Sequence, residues 1–208
     1  MEALALGCYV AYLAVVIGVR MLIQRRWTGS TGVKFMEGRI WSREWIASVL
    51  FGNGMLANGY GPVLALLGVV TPFAALDTTA VHVAGFALFA IGFATTFAVQ
   101  LAMGKSWRIG VHDSSDAPLV TDGPFGVVRN PICAAILLTS SGVALMAPTV
   151  VALIALILLL AGIELMVRTI EEPYLRRAYG ADYDAYARRV GRFVPGVGRL
   201  RSGERQPA

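Results

Sequence analysis

From Ile46 to Leu76 the chain runs for 31 residues without a formal charge. A helix or strand of that length in a water-soluble domain keeps charge on the face it shows to solvent. Four more apolar blocks flank this one, at Ala3 to about Ile23, Val81–Met103, Pro131–Ala147 and Thr149 to about Val167. About 20 apolar residues suffice to cross the hydrocarbon core as a helix. Charged residues make up only 15% of the chain, against about 25% in soluble domains. An ordinary soluble enzyme and a disordered chain are both excluded. The expected fold is all-α: a polytopic membrane helical bundle with five transmembrane helices.

The order of the charges tests that count. With five spans, residues 24–45, 104–130 and the C-terminal segment share one side of the membrane. Counting the span-end residues Arg20 and Arg168 with them, that side holds all 18 Lys and Arg. Basic residues concentrate in cytoplasmic loops. The N-terminus is therefore expected outside and the C-terminus in the cytoplasm. The net charge of +5 is read as basic loops against anionic headgroups. No basic-aromatic module suggests nucleic acid as a partner. No signal peptide is expected, since the apolar run starts at Ala3 with no basic segment before it. Cys8, Cys133, His82 and His112 are too scattered for a disulfide framework or a metal site.

Ile46–Leu76 is longer than one straight span requires. Pro62 stands within it, preceded by Gly52, Asn53, Gly54, Asn58, Gly59 and Gly61. One kinked helix packed closely through its glycines, or two short re-entrant pieces, would both account for it. Only Pro148 separates the fourth span from the fifth, so those two form a tight hairpin.

Polar signals gather on the cytoplasmic side, in Met103–Gly110, in Leu119–Pro131 and from Glu164 onward. Asp122-Gly123-Pro124 is a turn signal. Asn130-Pro131 opens a helix, with Asn130 as cap and Pro131 at the first position. The free N–H groups there serve for capping alone or receive an anionic group. Glu164 is the one acidic residue well inside an apolar block. Glu164, Arg168 and Glu171 share a helix face by their spacing. They form either an internal pair that lets the helix leave the bilayer, or the polar wall of a site. In that site Arg168 would hold an anionic group and Glu171 would accept from a cationic or hydroxyl-bearing ligand. Beyond Pro173, tyrosines alternate with arginines. That pattern reads as an interfacial amphipathic helix, with Tyr at headgroup level, that can also cover a site.

Taken in order, these stretches resemble the isoprenylcysteine carboxyl methyltransferase family, which belongs with the phospholipid methyltransferases among integral-membrane enzymes using S-adenosylmethionine. The residues that carry the resemblance are Leu119-Val120-Thr121-Asp122-Gly123-Pro124-Phe125, then Arg129-Asn130-Pro131-Ile132-Cys133, then Glu171-Glu172-Pro173-Tyr174-Leu175, and finally Tyr179-Gly180-Ala181-Asp182-Tyr183-Asp184-Ala185-Tyr186. The resemblance covers about residues 100–195. It implies a helical bundle holding the cofactor at its cytoplasmic side, touching Leu119, Val120, Phe125, Asn130, Pro131, Ile132, Cys133 and Glu171. Arg168 falls near the family's substrate-side arginine. Glu171 and Glu172 are the candidate bases if the methyl acceptor is an amine or hydroxyl. A carboxylate acceptor would need only desolvation and orientation. The family's His is Asn130 here, and its two Tyr positions are Phe125 and Cys133, so a titrating proton shuttle at position 130 is lost.

The implied organisation is a single membrane domain over 1–208. Within it, 1–99 supplies the scaffold, 100–195 the cofactor-binding and catalytic region, and 196–208 a flexible tail. The expected activity is S-adenosylmethionine-dependent methyl transfer to a lipophilic or amphiphilic small molecule or lipid at the cytoplasmic face of the bilayer. Arg outnumbers Lys 16 to 2, which suggests a GC-rich bacterial genome and a bacterial inner or plasma membrane. The competing readings are an NADPH-dependent membrane reductase of the sterol or steroid type, and a non-catalytic membrane protein on the same scaffold.

Overall fold

A computed structural model describes residues 1–31, 39–104 and 119–200. The described residues form helices and no strand. Helix α1 is Glu2–Thr28, α2 is Arg43–Leu66 and α3 is Thr79–Ala102. A single turn, α4, covers Pro124–Val127, and α5 is Pro131–Met146. Helix α6 (Val150–Met166) passes through a π-helical stretch, Val167–Glu171, into α7 (Glu172–Arg189).

Among the described residues, three helical segments are long and apolar enough to cross a membrane: Glu2–Thr28, Thr79–Ala102 and Val150–Arg189. The other two expected spans are also helical. Helix α2 is long but diluted by Asn and Gly, and α5 is apolar but only 16 residues long. Ile46–Leu76 is resolved in favour of one helix, which begins at Arg43, runs through Pro62 and stops at Leu66.

Local chemistry sets the helix starts. Ser42 Oγ accepts from Trp45 N–H at 3.2 Å, and Thr149 Oγ1 accepts from Ala152 N–H at 3.2 Å. Each satisfies one of the free donors of a first turn. The α5–α6 hairpin turns at Pro148 as its sequence implies, and the Pro148 carbonyl accepts from Phe73 N–H at 2.7 Å.

Two helix pairs approach to backbone contact. Helix α3 packs on α5, where a Cβ on Gly92 would stand 2.6 Å from the Thr139 backbone nitrogen and one on Gly142 would run into the Phe89 backbone. Helix α2 packs on α6, where a Cβ on Gly162 would lie 2.6 Å from Phe51 N and one on Gly54 2.7 Å from Leu159 N. Small residues at such crossings let dispersion contacts and backbone proximity hold helices together in lipid. Tyr9, Tyr12 and Val16 of α1 fill the space between the pairs, against Phe89, Val143 and Met146. Tyr9 Oη donates to the Met55 carbonyl at 2.5 Å.

These contacts leave the bundle with two unlike ends. One gathers Glu2, Asp77, His82 and Pro148, and there His82 Nε2 lies 3.1 Å from Asp77. The other gathers the end of α1, the start of α2, the end of α3, the start of α5 and all of α7. Every Arg among the described residues lies at or near this second end.

Candidate active site at the basic end

The start of α5 and the segment after α7 are joined through their backbones. Val128 forms an isolated parallel bridge with Gly191. Arg129 N–H donates to the Gly191 carbonyl at 2.8 Å, and Asn130 N–H to the Arg192 carbonyl at 3.0 Å. This docking carries the Arg129 side chain under the C-terminal segment, where it is only 7% exposed.

There the Arg129 guanidinium donates to the carbonyls of Ala187 at 2.9 Å, Val190 at 2.7 Å and Gly198 at 3.1 Å, and to Glu172 Oε1 at 2.6 Å. Arg192 grips the same carboxylate from the other side, Nε to Oε1 and Nη2 to Oε2, both at 2.8 Å. Burial would raise the pKa of Glu172. The hydrogen bonds and charges of Arg192 and Arg129 outweigh it and hold the carboxyl below its ordinary 4.5. Glu172 is thus held ionised between two cations near neutral pH.

Glu171 is in the opposite condition. It lies beyond the apolar part of α6, in the π-helical stretch, and takes no hydrogen bond among the described residues. Burial, with the Glu172 charge beside it, pushes its pKa up to about 7. It lies near Cys133 of α5. Cys133 is buried against Ile163 and Val167. Asn130 holds the cap position of α5 but its side chain makes no capping bond; Nδ2 reaches toward the Arg192 carbonyl at 3.5 Å. The first-turn N–H groups of α5 are therefore left uncapped near the Glu171 carboxyl.

The remaining expected site residues are spread along this end. Pro131 is buried, Ile132 half-buried and Val120 exposed. The Phe125 carbonyl accepts from Tyr186 Oη at 2.6 Å. Leu119 lines a cavity of about 510 Å³ with Thr121, Tyr179, Asp182, Tyr186 and Arg189. Arg168 and Glu172 line a different cavity, of about 220 Å³, with Arg129, Arg176, Arg192 and Arg199. Arg168 also pairs with Glu164 one turn earlier, as the spacing implies.

The C-terminal helix differs from its expected form. The helical run that α6 begins continues through Pro173 into α7. That proline falls in the first turn after the π-helical stretch, where a missing N–H is best tolerated, and the chain stays helical to Arg189 apart from a break at Gly180. Tyr183 and Tyr186 face protein rather than the surface; they are 1% and 3% exposed, in a small core with Ala187 and Val190. Tyr–Arg alternation reads the same whether the tyrosines meet lipid or protein. The structural importance of Arg192 and Tyr186 was likewise hidden, because their partners are 20 and 61 residues away. In the sequence, Arg129 is marked only by its place in Arg129-Asn130-Pro131. Met103–Gly110 is described only to Gly104, and the tail past Leu200 lies outside the described residues.

Glu171 is an acceptor for an ammonium, and the uncapped N–H groups of α5 are donors for a carboxylate. Residues 80–182, about half of the chain, match the model of the phospholipid methyltransferase family. The match runs from the second residue of α3 through α5 and α6 into α7, and so includes Arg129, Asn130, Glu171 and Glu172 but stops short of Arg192 and the segment docked on the start of α5. No curated protein and no solved structure matches the chain. Through residues 80–182 and the membrane-length apolar helices around them, the chain belongs to the phospholipid methyltransferase family of integral-membrane methyltransferases.

Proposed function

We propose that this protein transfers a methyl group from S-adenosylmethionine to a lipophilic or amphiphilic acceptor at the cytoplasmic face of the membrane. The observation that carries the reading is Glu171, a half-buried acceptor without a hydrogen bond among the described residues, beside the uncapped start of α5 and inside the family region. In this reading the five helical segments all span the bilayer, with the basic end in the cytoplasm, in accord with the basic-loop rule. Residues 1–99 form the scaffold and 100–195 the catalytic region. A bacterial inner membrane fits the arginine-rich composition.

The cofactor supplies an electrophilic methyl on a sulfonium, so the protein's part is to position, to desolvate and, for some acceptors, to take a proton. Glu171 and the N–H groups of Ile132 and Cys133 are the proposed holds for the cofactor's amino-acid end. Leu119, Val120, Phe125, Asn130 and Pro131 complete its surroundings. A carboxylate acceptor requires no base. For an amine or hydroxyl acceptor Glu171 is the one of the two carboxylates suited to receive a proton, because Glu172 is fixed as an anion between Arg129 and Arg192. Glu172 is assigned to positioning: it fastens the C-terminal segment over the start of α5. Arg168 lines the separate arginine-rich cavity and is given no step in the transfer.

The test is thermal-shift titration of the detergent-purified protein with S-adenosylhomocysteine and, in parallel, NADPH. Stabilisation by S-adenosylhomocysteine alone is expected. Stabilisation by NADPH alone, or by neither compound, would overturn the reading.

A further inference from the structure

The arginine-rich cavity does not contain the start of α5 or Glu171, and methyl transfer leaves it without a role. Its walls bring together the end of α6 (Arg168), α7 (Glu172, Arg176) and the C-terminal segment (Arg192, Arg199), with Arg129 at its base. Five guanidinium groups line it. Against them stand Glu172 in the wall and two carboxylates paired to wall residues, Glu164 on Arg168 and Asp184 on Arg176 at 3.1 Å. Among the described residues the balance is therefore two positive charges around a partly enclosed space of about 220 Å³. Arg129 is buried and Arg192 half-buried, and they share the one Glu172 carboxylate, while Arg168 and Arg199 stand at the exposed rim, so the excess positive charge favours a bound anion.

Two further features point to a ligand. Arg129 Nε is buried and has no hydrogen-bond partner among the described residues, although the rest of that guanidinium is fully engaged. Glu172 also holds Arg129 and Arg192 in fixed positions, so part of the cost of ordering a receptor is met before anything binds. Planar guanidinium forks converging from several directions match the oxygens of a phosphate better than a single carboxylate.

We propose that this cavity is a binding site for a phosphate group, which ties the C-terminal segment carrying Arg192 and Arg199 to the ends of α6 and α7. Its position where the last apolar helix gives way to polar sequence makes an anionic lipid headgroup and a water-borne phosphate the two sources of that chemistry. The site stands independently of methyl transfer, and its test does not read activity.

The experiment uses the full chain. In detergent, the thermal shift with inorganic phosphate is measured against chloride at matched ionic strength. In nanodiscs, stability in phosphatidylcholine alone is compared with phosphatidylcholine containing phosphatidic acid. Arg199→Gln is the main variant, because Arg199 is exposed and makes no hydrogen bond among the described residues that folding would miss. Arg168→Gln is the second variant, and Arg177→Gln, on the exposed side of α7, is the control for general charge. Stabilisation by inorganic phosphate in detergent, with or without an effect of phosphatidic acid in nanodiscs, assigns a phosphate site open to water. Stabilisation by phosphatidic acid alone assigns a headgroup site. Either result should weaken about tenfold in Arg199→Gln or Arg168→Gln and stay unchanged in Arg177→Gln. No stabilisation in either setting would overturn the proposal, as would equal losses in all three variants.

Discussion

Arg129 and Glu172 are separated by 43 residues, yet their side chains meet at 2.6 Å, 3% and 7% exposed. The pair welds the entry of α5 to the first turn of α7, and Arg192 closes it from the C-terminal side. Breaking a buried pair leaves an uncompensated charge, which costs about 3–5 kcal/mol. Glu172→Gln and Arg129→Ala should each lower the thermal midpoint and open residues 190–200 to proteolysis, with α1 to α3 still folded. A midpoint and digestion pattern like those of the parent would show that the pair does not fasten this segment.

The same pair predicts acid sensitivity. Glu172 has a folded pKa below the 4.5 of an unperturbed carboxyl, so its contribution is present above about 4.5 and is lost as the pH falls through the lower folded value. Thermal midpoints followed on the acid side should fall less steeply in Glu172→Gln than in the parent.

Glu171 has the opposite sign. Its folded pKa is raised to about 7, so the folded protein keeps a proton that the unfolded chain has lost, and that stabilisation disappears as the pH rises through about 7. If the ionised carboxyl holds the cofactor's ammonium, affinity for S-adenosylhomocysteine should rise between about pH 6 and about pH 8. Glu171→Gln should flatten the curve, and Glu171→Ala should weaken binding about ten- to a hundred-fold while the fold persists. Calorimetric titration at several pH values checks both.

Helix contact is tested at Gly142. A methyl group there meets the Phe89 backbone, which cannot move as a side-chain tip can. Gly142→Ala should destabilise by about 1–3 kcal/mol, as overpacking does. Gly7→Ala has open space around it and should be close to neutral. Thermal unfolding of the two variants in one detergent makes the comparison, and equal midpoints would deny the close α3–α5 packing.

Asn130 separates capping from position. A working cap contributes about 1 kcal/mol. Since the Asn130 side chain makes no capping bond, Asn130→Ala should change stability by less than about 0.5 kcal/mol. Asn130→His should bring little gain in turnover, because Phe125 and Cys133 also depart from the resembled pattern. A large gain from His alone would mean that the pocket was still shaped for it.

Membrane orientation is tested with reporters fused after Ala208 and in the Asp77 turn. They should report opposite sides, with Ala208 in the cytoplasm. Signals from the same side would remove the odd number of spans.

The sequence by itself determined the helical class, the apolar blocks, the Pro148 hairpin and the gathering of basic residues toward one end. These follow from sums over neighbouring residues: hydropathy over a span's length, charge in a loop, a proline between two apolar runs. The Glu164–Arg168 pair was legible for the same reason, since one helical turn fixes its geometry. Tertiary structure decided everything that depends on distant partners. It buried Tyr183 and Tyr186 in protein, carried α6 past Pro173 and left Asn130 uncapping. It also gave two adjacent carboxylates opposite characters, Glu172 held ionised by Arg129 and Arg192, and Glu171 desolvated with no cation paired to it among the described residues. Glu171 and Glu172 are neighbours in the chain, but desolvation and charge pairing act through space, and only the packed helices set which cations each carboxylate meets.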